Sequence, residues 1–221
     1  MDWQALTLSL QLASVTLAVL LPMGLWLGRW LAHTEFFGKA WIEALVMLPL
    51  VLPPTVVGYY LLVTLGGASP VGRWLAEHFD VRLAFSFAGL VLASIVFNIP
   101  FFVQPVQRAF ETIPHALSEA AAVSGLSTWQ TFWRIELPLA WPGVVSAMVL
   151  TFVHTLGEFG VVLMIGGSIP GETKTIAIAI YDRVQAFDLT SAGRMSLILL
   201  VLSITALAAS LFASARLVAR R

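Results

Sequence analysis

The chain alternates long uncharged apolar stretches with short polar ones. Uncharged windows run from Trp3 to Leu27, Ala44 to Gly72, Leu83 to Gln107, Leu137 to Gly157 and Met195 to Ala215. Each reaches or exceeds the roughly 20 residues that carry a helix across about 30 Å of hydrocarbon. Lipid offers bare backbone groups no partner, so helices of this length must do the spanning. The pattern predicts an all-α membrane protein with about five transmembrane helices in one domain, residues 1–221.

Two of the intervening segments have a pattern of their own. In the first, about residues 111–138, Thr112-Ile-Pro114 reads as a helix start and Ala116 to Val123 are mostly good helix formers. Gly125 then suits a left-handed stop, and Ser127 with Gln130 reads as a capping box. The expectation is two short helices around a glycine elbow, the second ending near Leu137-Pro138. In the second segment, about residues 166–194, Gly166-Gly-Ser-Ile-Pro170-Gly171 is loop chemistry. Ile176, Ile180, Val184 and Phe187 follow at near-helical spacing, with Asp182, Arg183 and Asp188 among them. An amphipathic outer helix is expected, covering a pore mouth or resting on lipid.

Prolines interrupt the second window at Pro49, Pro53 and Pro54. Each removes a helix hydrogen bond, so this span should bend or break. The break is either a packing kink or a half-helix start at Thr55 facing a passage. Small residues supply helix contacts: Gly24 and Gly28 in the first span, Ala209/Ala213 and Ser210/Ser214 in the fifth.

Composition agrees with the pattern and narrows the function. Hydrophobic residues make up 59% of the chain, and 12 Lys+Arg balance 12 Asp+Glu. A net charge of zero argues against nucleic acid. The absence of cysteine excludes disulfides and thiolate chemistry. Met1-Asp-Trp-Gln lacks a basic leader region, so the first span is expected to stay uncleaved. If the tail with Arg216, Arg220 and Arg221 is cytoplasmic, seven basic residues lie inside and five outside. That favours the N-terminus out and the C-terminus in.

The polar loop Glu119-Ala-Ala-Ala-Val-Ser-Gly125, followed after nine residues by Ile135-Glu-Leu137-Pro138, resembles the EAA loop of ABC importer permeases. Leu48-Pro49-Leu-Val-Leu-Pro53-Pro54-Thr55-Val-Val-Gly58 and Gly157-Glu158-Phe159-Gly160 resemble segments of molybdate permeases, the second also of sulfate permeases. The resemblance covers about Leu45 to Leu217 and is closest to the molybdate family. It implies an importer permease fold, with Glu119, Ala120, Ala121, Gly125, Ile135, Leu137 and Pro138 forming or supporting the element that docks on an ATPase. It further implies a homodimer, two ATPase subunits and an extracytoplasmic oxyanion-binding protein, in a bacterial inner membrane. Sulfate or thiosulfate remains the alternative cargo, and a stand-alone ion-driven carrier the alternative machine.

No phosphate-binding loop is present; Gly38-Lys39-Ala40 lacks the earlier glycine and the hydroxyl. ATP and magnesium are therefore expected on a partner, and no cofactor or metal on this chain. No hydrolase motif appears, and Ser146 and His154 lie about 12 Å apart along a helix. No lysine or arginine sits near the middle of a span, so a deep trap for a dianion is absent. Pro53, Pro54, Thr55, His154, Glu158 and Phe159 are the candidate pathway or gate residues. For Glu158 a hydrogen-bonding or gating role is expected, with Phe159 or Val161 closing an apolar constriction; plain helix packing is the other reading.

Overall fold

The computed structural model describes residues 1–219, with side chains through Phe212. The side chains of Ala213, Ser214 and Arg216, together with Arg220 and Arg221, lie outside the described residues, and with them half of the fifth-span seam and the basic tail. Among the described residues the secondary structure is helical throughout. Four helical stretches are long and apolar enough to cross a membrane, and a bent pair makes up to five.

The first is α1, Trp3–His33, opened by Asp2, whose Oδ1 accepts from the Ala5 N–H at 3.0 Å. The bent pair is α2, Lys39–Val51, and α3, Pro54–Leu65, which meet at 108°. Leu52 and Pro53 are extended there, with ψ of 142° and 136°. A proline disfavours helical geometry at the residue before it, and in the tandem pair this falls on Leu52 and Pro53 in succession. The second span is thus broken as well as bent.

A short helix that the apolar pattern did not announce follows: α4, Pro70–Phe79, capped by Ser69 Oγ on the Gly72 N–H at 2.8 Å. Next comes α5, Phe87–Glu111, the centre of the bundle, against which α1 and α2 pack. Gly24 and Gly28 of α1 lie flat on this helix. A Cβ at Gly28 would come within 2.7 Å of Val106 Cγ1, and one at Gly24 would collide with the Phe102 ring. The expected small-residue contact is therefore an α1–α5 seam.

The polar loop contains α6, His115–Val123, and α7, Thr128–Thr131. The second short helix does not stop at Leu137-Pro138 as expected. It passes through a π-helical turn, Phe132–Glu136, directly into α8, Leu137–Leu156. Pro138 is the second residue of α8, directly after the π turn. A second break, at Gly157–Phe159, separates α8 from the short α9, Gly160–Gly166.

The outer helix is α10, Ile176–Gln185, and the last span is α11, Leu189–Ala219. The expected apolar face of α10 holds only at its start. Ile176, Ile178 and Ala179 are buried, whereas Val184 and Phe187 are exposed. Val184, in the last turn of the helix, faces outward, and Phe187 lies beyond the helix end at Gln185.

The bundle has two main cores stacked along its length. One gathers Leu20, Phe102, Val106, Phe110, Leu137, Ala140 and Val144 near the polar loop. The other gathers Leu8, Leu12, Val57, Leu90, Phe97, Val161 and Ile165 near the two breaks.

Candidate coupling loop and translocation site

At the polar loop, local rules set the geometry. Helix α6 ends in a Schellman motif: Leu126 N–H bonds Ala121 O and Gly125 N–H bonds Ala122 O, both at 3.0 Å. Gly125 has φ of +81°, the left-handed value this motif requires. Ser127 Oγ accepts from the Gln130 N–H at 3.3 Å, and Gln130 Oε1 accepts from the Ser127 N–H at 2.9 Å. Both expected devices are present, and they fix the angle between α6 and the start of α7.

The motif residues divide by direction. Glu119, Ala120 and Gly125 are exposed, as are Leu117 and Val123, the latter at 90%. Ala121 and Leu137 are buried, Ile135 is half-buried and Pro138 is exposed. Ala121 and Leu137 therefore cannot touch another protein; they seat the loop on its own bundle. Small size at Ala121 serves the fit inward, while Ala120 and Ala122 leave a low outer surface.

One residue between Ile135 and Leu137 was passed over in the sequence. Glu136 is 2% exposed and accepts two bonds from Arg29 of α1, Nε to Oε2 at 2.5 Å and Nη2 to Oε1 at 3.1 Å. The Arg29 guanidinium also sits 5.6 Å from the centroid of the Phe132 ring. A carboxylate in an Ile-Glu-Leu-Pro run 107 residues from its arginine gives no local sign of such a fork.

At the other end, the two helix breaks face each other. A Cβ at Gly160 would lie 2.9 Å from Pro54 Cβ and 3.4 Å from Thr55 N. A Cβ at Gly58 would lie 2.7 Å from Met164 Cβ. The starts of α3 and α9 therefore lie side by side, and only glycine permits it. Pro53, Pro54 and Thr55 are exposed on the surface of the single chain.

Glu158 and His154 are held by α5. Ser94 Oγ donates to Glu158 Oε2 at 2.6 Å, and the carboxylate is buried. Asn98 Nδ2 donates to Ser94 O at 2.8 Å, which turns Asn98 Oδ1 toward His154 Nδ1 at 2.9 Å. With the Asn98 amide oriented this way, its oxygen can only accept, so Nδ1 is the nitrogen that donates in this contact. Phe101 stacks on the ring at 3.8 Å between centroids. Four polar side chains thus pin the α8–α9 break to the central helix. Sequence reasoning singled out the histidine and the glutamate but missed Ser94 and Asn98, which lie four residues apart on one face of α5.

Phe159 is half-buried, its ring 4.9 Å from that of Tyr181 on α10. Val161 is fully buried in the core and faces no opening. The constriction expected from either residue is thus reduced to Phe159. Among the described residues no group of three metal-ligating side chains occurs.

Residues 21–221 match the family described as binding-protein-dependent transport system inner membrane component. The chain belongs to this family. The permease is 48% identical over 192 residues to the molybdenum transport system permease protein ModB of Azotobacter vinelandii, covering 86% of this chain and 84% of that one. It is 41% identical over 184 residues to the protein of the same name from Escherichia coli K12, covering 83% and 80%. A bacterial ABC transporter for alginate import shares its fold at a TM-score of 0.78 and 21% identity, covering 96% of this permease and 78% of that chain. The fold is therefore that of an importer permease, a multi-pass helical membrane subunit.

Proposed function

We propose that this permease is the membrane subunit of an ATP-driven importer of molybdate in a bacterial inner membrane. Its high identity to molybdenum permeases along most of its length carries this reading. Two copies pair, two separate ATPase subunits dock on α6, and an extracytoplasmic binding protein delivers the anion. The N-terminus faces out and the polar loop and C-terminus face in.

Several features support the assembly. Helix α6 offers an exposed Leu117–Glu119–Ala120–Val123 surface on a short rigid rod. A rod of this kind passes a rigid-body displacement into packed helices with two arrangements. The broken second span leaves Trp41, Leu45, Val51, Tyr59 and Tyr60 exposed, apolar area suited to a second copy. The partner ATPase binds ATP with magnesium; this chain contributes motion and a path.

The path grips weakly. Among the described residues the bonds of Ser94, Asn98, His154 and Glu158 run to one another and to the α5 backbone, with no lysine or arginine among their partners. A tight dianion site recruits cations or convergent donors. Affinity therefore belongs to the binding protein, and Thr55 and Phe159 border a passage that releases its cargo. Radiolabelled molybdate uptake, in cells lacking their own systems, tests the assignment. Competition by tungstate with little effect of sulfate is expected; sulfate uptake unaffected by molybdate overturns it. Uptake by this chain alone, driven by an ion gradient, would replace the importer with a carrier.

A further inference from the structure

The coupling segment touches the rest of the bundle at a point that the family pattern does not mark. After the Schellman stop and capping box, the chain enters the π-helical turn Phe132–Glu136. A π turn carries one residue more than an α turn, and such turns occur mostly as single insertions, often at functional positions. Its last residue, Glu136, is the one whose carboxylate is buried and bound by the Arg29 fork. Two bonds from one planar group to another fix distance and orientation together, which a single contact does not.

The surroundings make this fork the firm part of the junction. Beside it, Leu21, Pro22, Leu25 and Trp26 of α1 stand off from Trp129 and Trp133, leaving an apolar groove of about 630 Å³. On the groove side the helices meet mainly through the pair, while on the other side Leu20 of α1 shares a packed core with Leu137, Ala140 and Val144 of α8. Above the pair, α1 lies on α5 through the Gly24 and Gly28 seam. Movement of the π turn meets α1 directly at the Arg29–Glu136 bond, beside the packing of α8 on α1 that begins at Leu137.

We propose that Arg29 and Glu136 are positioning residues for coupling: the fork makes α1 move with the ATPase-docking segment. This rests on the importer reading of the polar loop. It adds a second route into the bundle beside the continuous α7–α8 helix. Lysine at position 29 would keep the charge but lose the two-point geometry. An apolar pair of similar size would fill the space without directing it, and buried ion pairs often accept such replacement without loss of stability.

The test uses the complete complex in proteoliposomes, reading anion imported per ATP hydrolysed. The double variant Arg29→Met/Glu136→Leu should assemble and hydrolyse ATP, yet import roughly tenfold less per ATP. Arg29→Lys should assemble and show a smaller loss in the same direction, and it decides the matter if the double variant does not assemble. A second readout follows α1 itself. A single cysteine at Trp26, on the groove, should change its thiol reactivity when nucleotide locks the wild-type complex, and should not change in either variant.

A pair that only supports folding would lower assembly and leave import per ATP intact. Wild-type import per ATP, with wild-type reactivity changes at position 26, in the variants that assemble would overturn the proposal. A wild-type complex showing no ATP-dependent import would instead overturn the importer reading.

Discussion

The polar loop and the paired breaks are the two ends of one bundle, built on opposite principles. In the loop, the elbow between its two short helices is fixed within about six residues: Gly125 closes α6, and Ser127 and Gln130 open α7, with the fork on Glu136 as the long-range exception. At the breaks, residues separated by a hundred positions fix each other, as Pro54 and Gly160 do by direct approach. The docking role proposed for the loop requires it to keep its shape when a partner pulls on it, and local hydrogen bonds give it that. A passage has to rearrange, and contacts between separate short helices can slide where a single continuous helix cannot.

The two kinds of glycine separate these principles most sharply. Gly58 has an ordinary φ but no space, since its added Cβ would meet Met164 Cβ at 2.7 Å and Val161 Cα at 3.1 Å. Gly125 has open space, with nothing within 4 Å, but a φ of +81°. Gly58→Leu should therefore have the largest effect, about 3 kcal/mol from overpacking, read as thermal unfolding of the purified permease. Gly125→Val should cost about 1–2 kcal/mol from left-handed strain and reduce substrate-stimulated ATP hydrolysis in the complex. Asparagine tolerates the left-handed region, so Gly125→Asn should recover most of that loss, whereas Gly58→Asn should recover little. Equal rescue at both sites would show that the two ends do not differ as described.

A smaller effect belongs to the capping box. Ser127→Ala removes the acceptor for the Gln130 N–H and should cost about 1 kcal/mol. Its consequence should be confined to the loop, as faster amide exchange over residues 127–131 with unchanged exchange in α3 and α9. Spread of the change to the breaks would mean that the loop is less self-contained than its hydrogen bonds indicate.

What the sequence made legible follows the same division. Hydrophobic windows located the spans, and the stop at Gly125 and the capping box were readable because their rules act over a few residues. The broken second span was readable because Pro53 and Pro54 are consecutive. Yet Pro100 and Pro105 sit inside a continuous α5, so a lone proline does not announce a break. The missed features depend on chain segments brought together only by folding. Glu136 looks like any polar residue until Arg29 is beside it, and Ser94 and Asn98 become a clamp only against Glu158 and His154. The apolar stripe of α10 failed at Phe187 because periodicity cannot see where a helix ends, and at Val184 because nothing among the described residues packs over its last turn. The small α4 straddles the end of the apolar window at Gly72, with most of its residues in the polar stretch that follows.

The least perturbing measurement asks whether the two ends lie on opposite sides of the membrane, as the proposed orientation requires. The chain has no cysteine, so single thiols report without background. Positions must be exposed and free of structural bonds. Ser69 fails because its hydroxyl caps α4 and its side chain is buried. Phe37, in the α1–α2 connection, and Val123, at the end of α6, are both exposed. Asp80 and Glu172 are exposed in the connections on the other side. Cysteines at Asp80 and Glu172 should react with an impermeant reagent added to intact cells. Those at Phe37 and Val123 should react only after the membrane is opened, with Val123 further protected when the ATPase is bound. Reversal of all four positions would put the polar loop outside the cell, where no ATPase could dock on it. Protection of Val123 lost together with coupling in Gly125→Val would tie the shape of the elbow to docking itself.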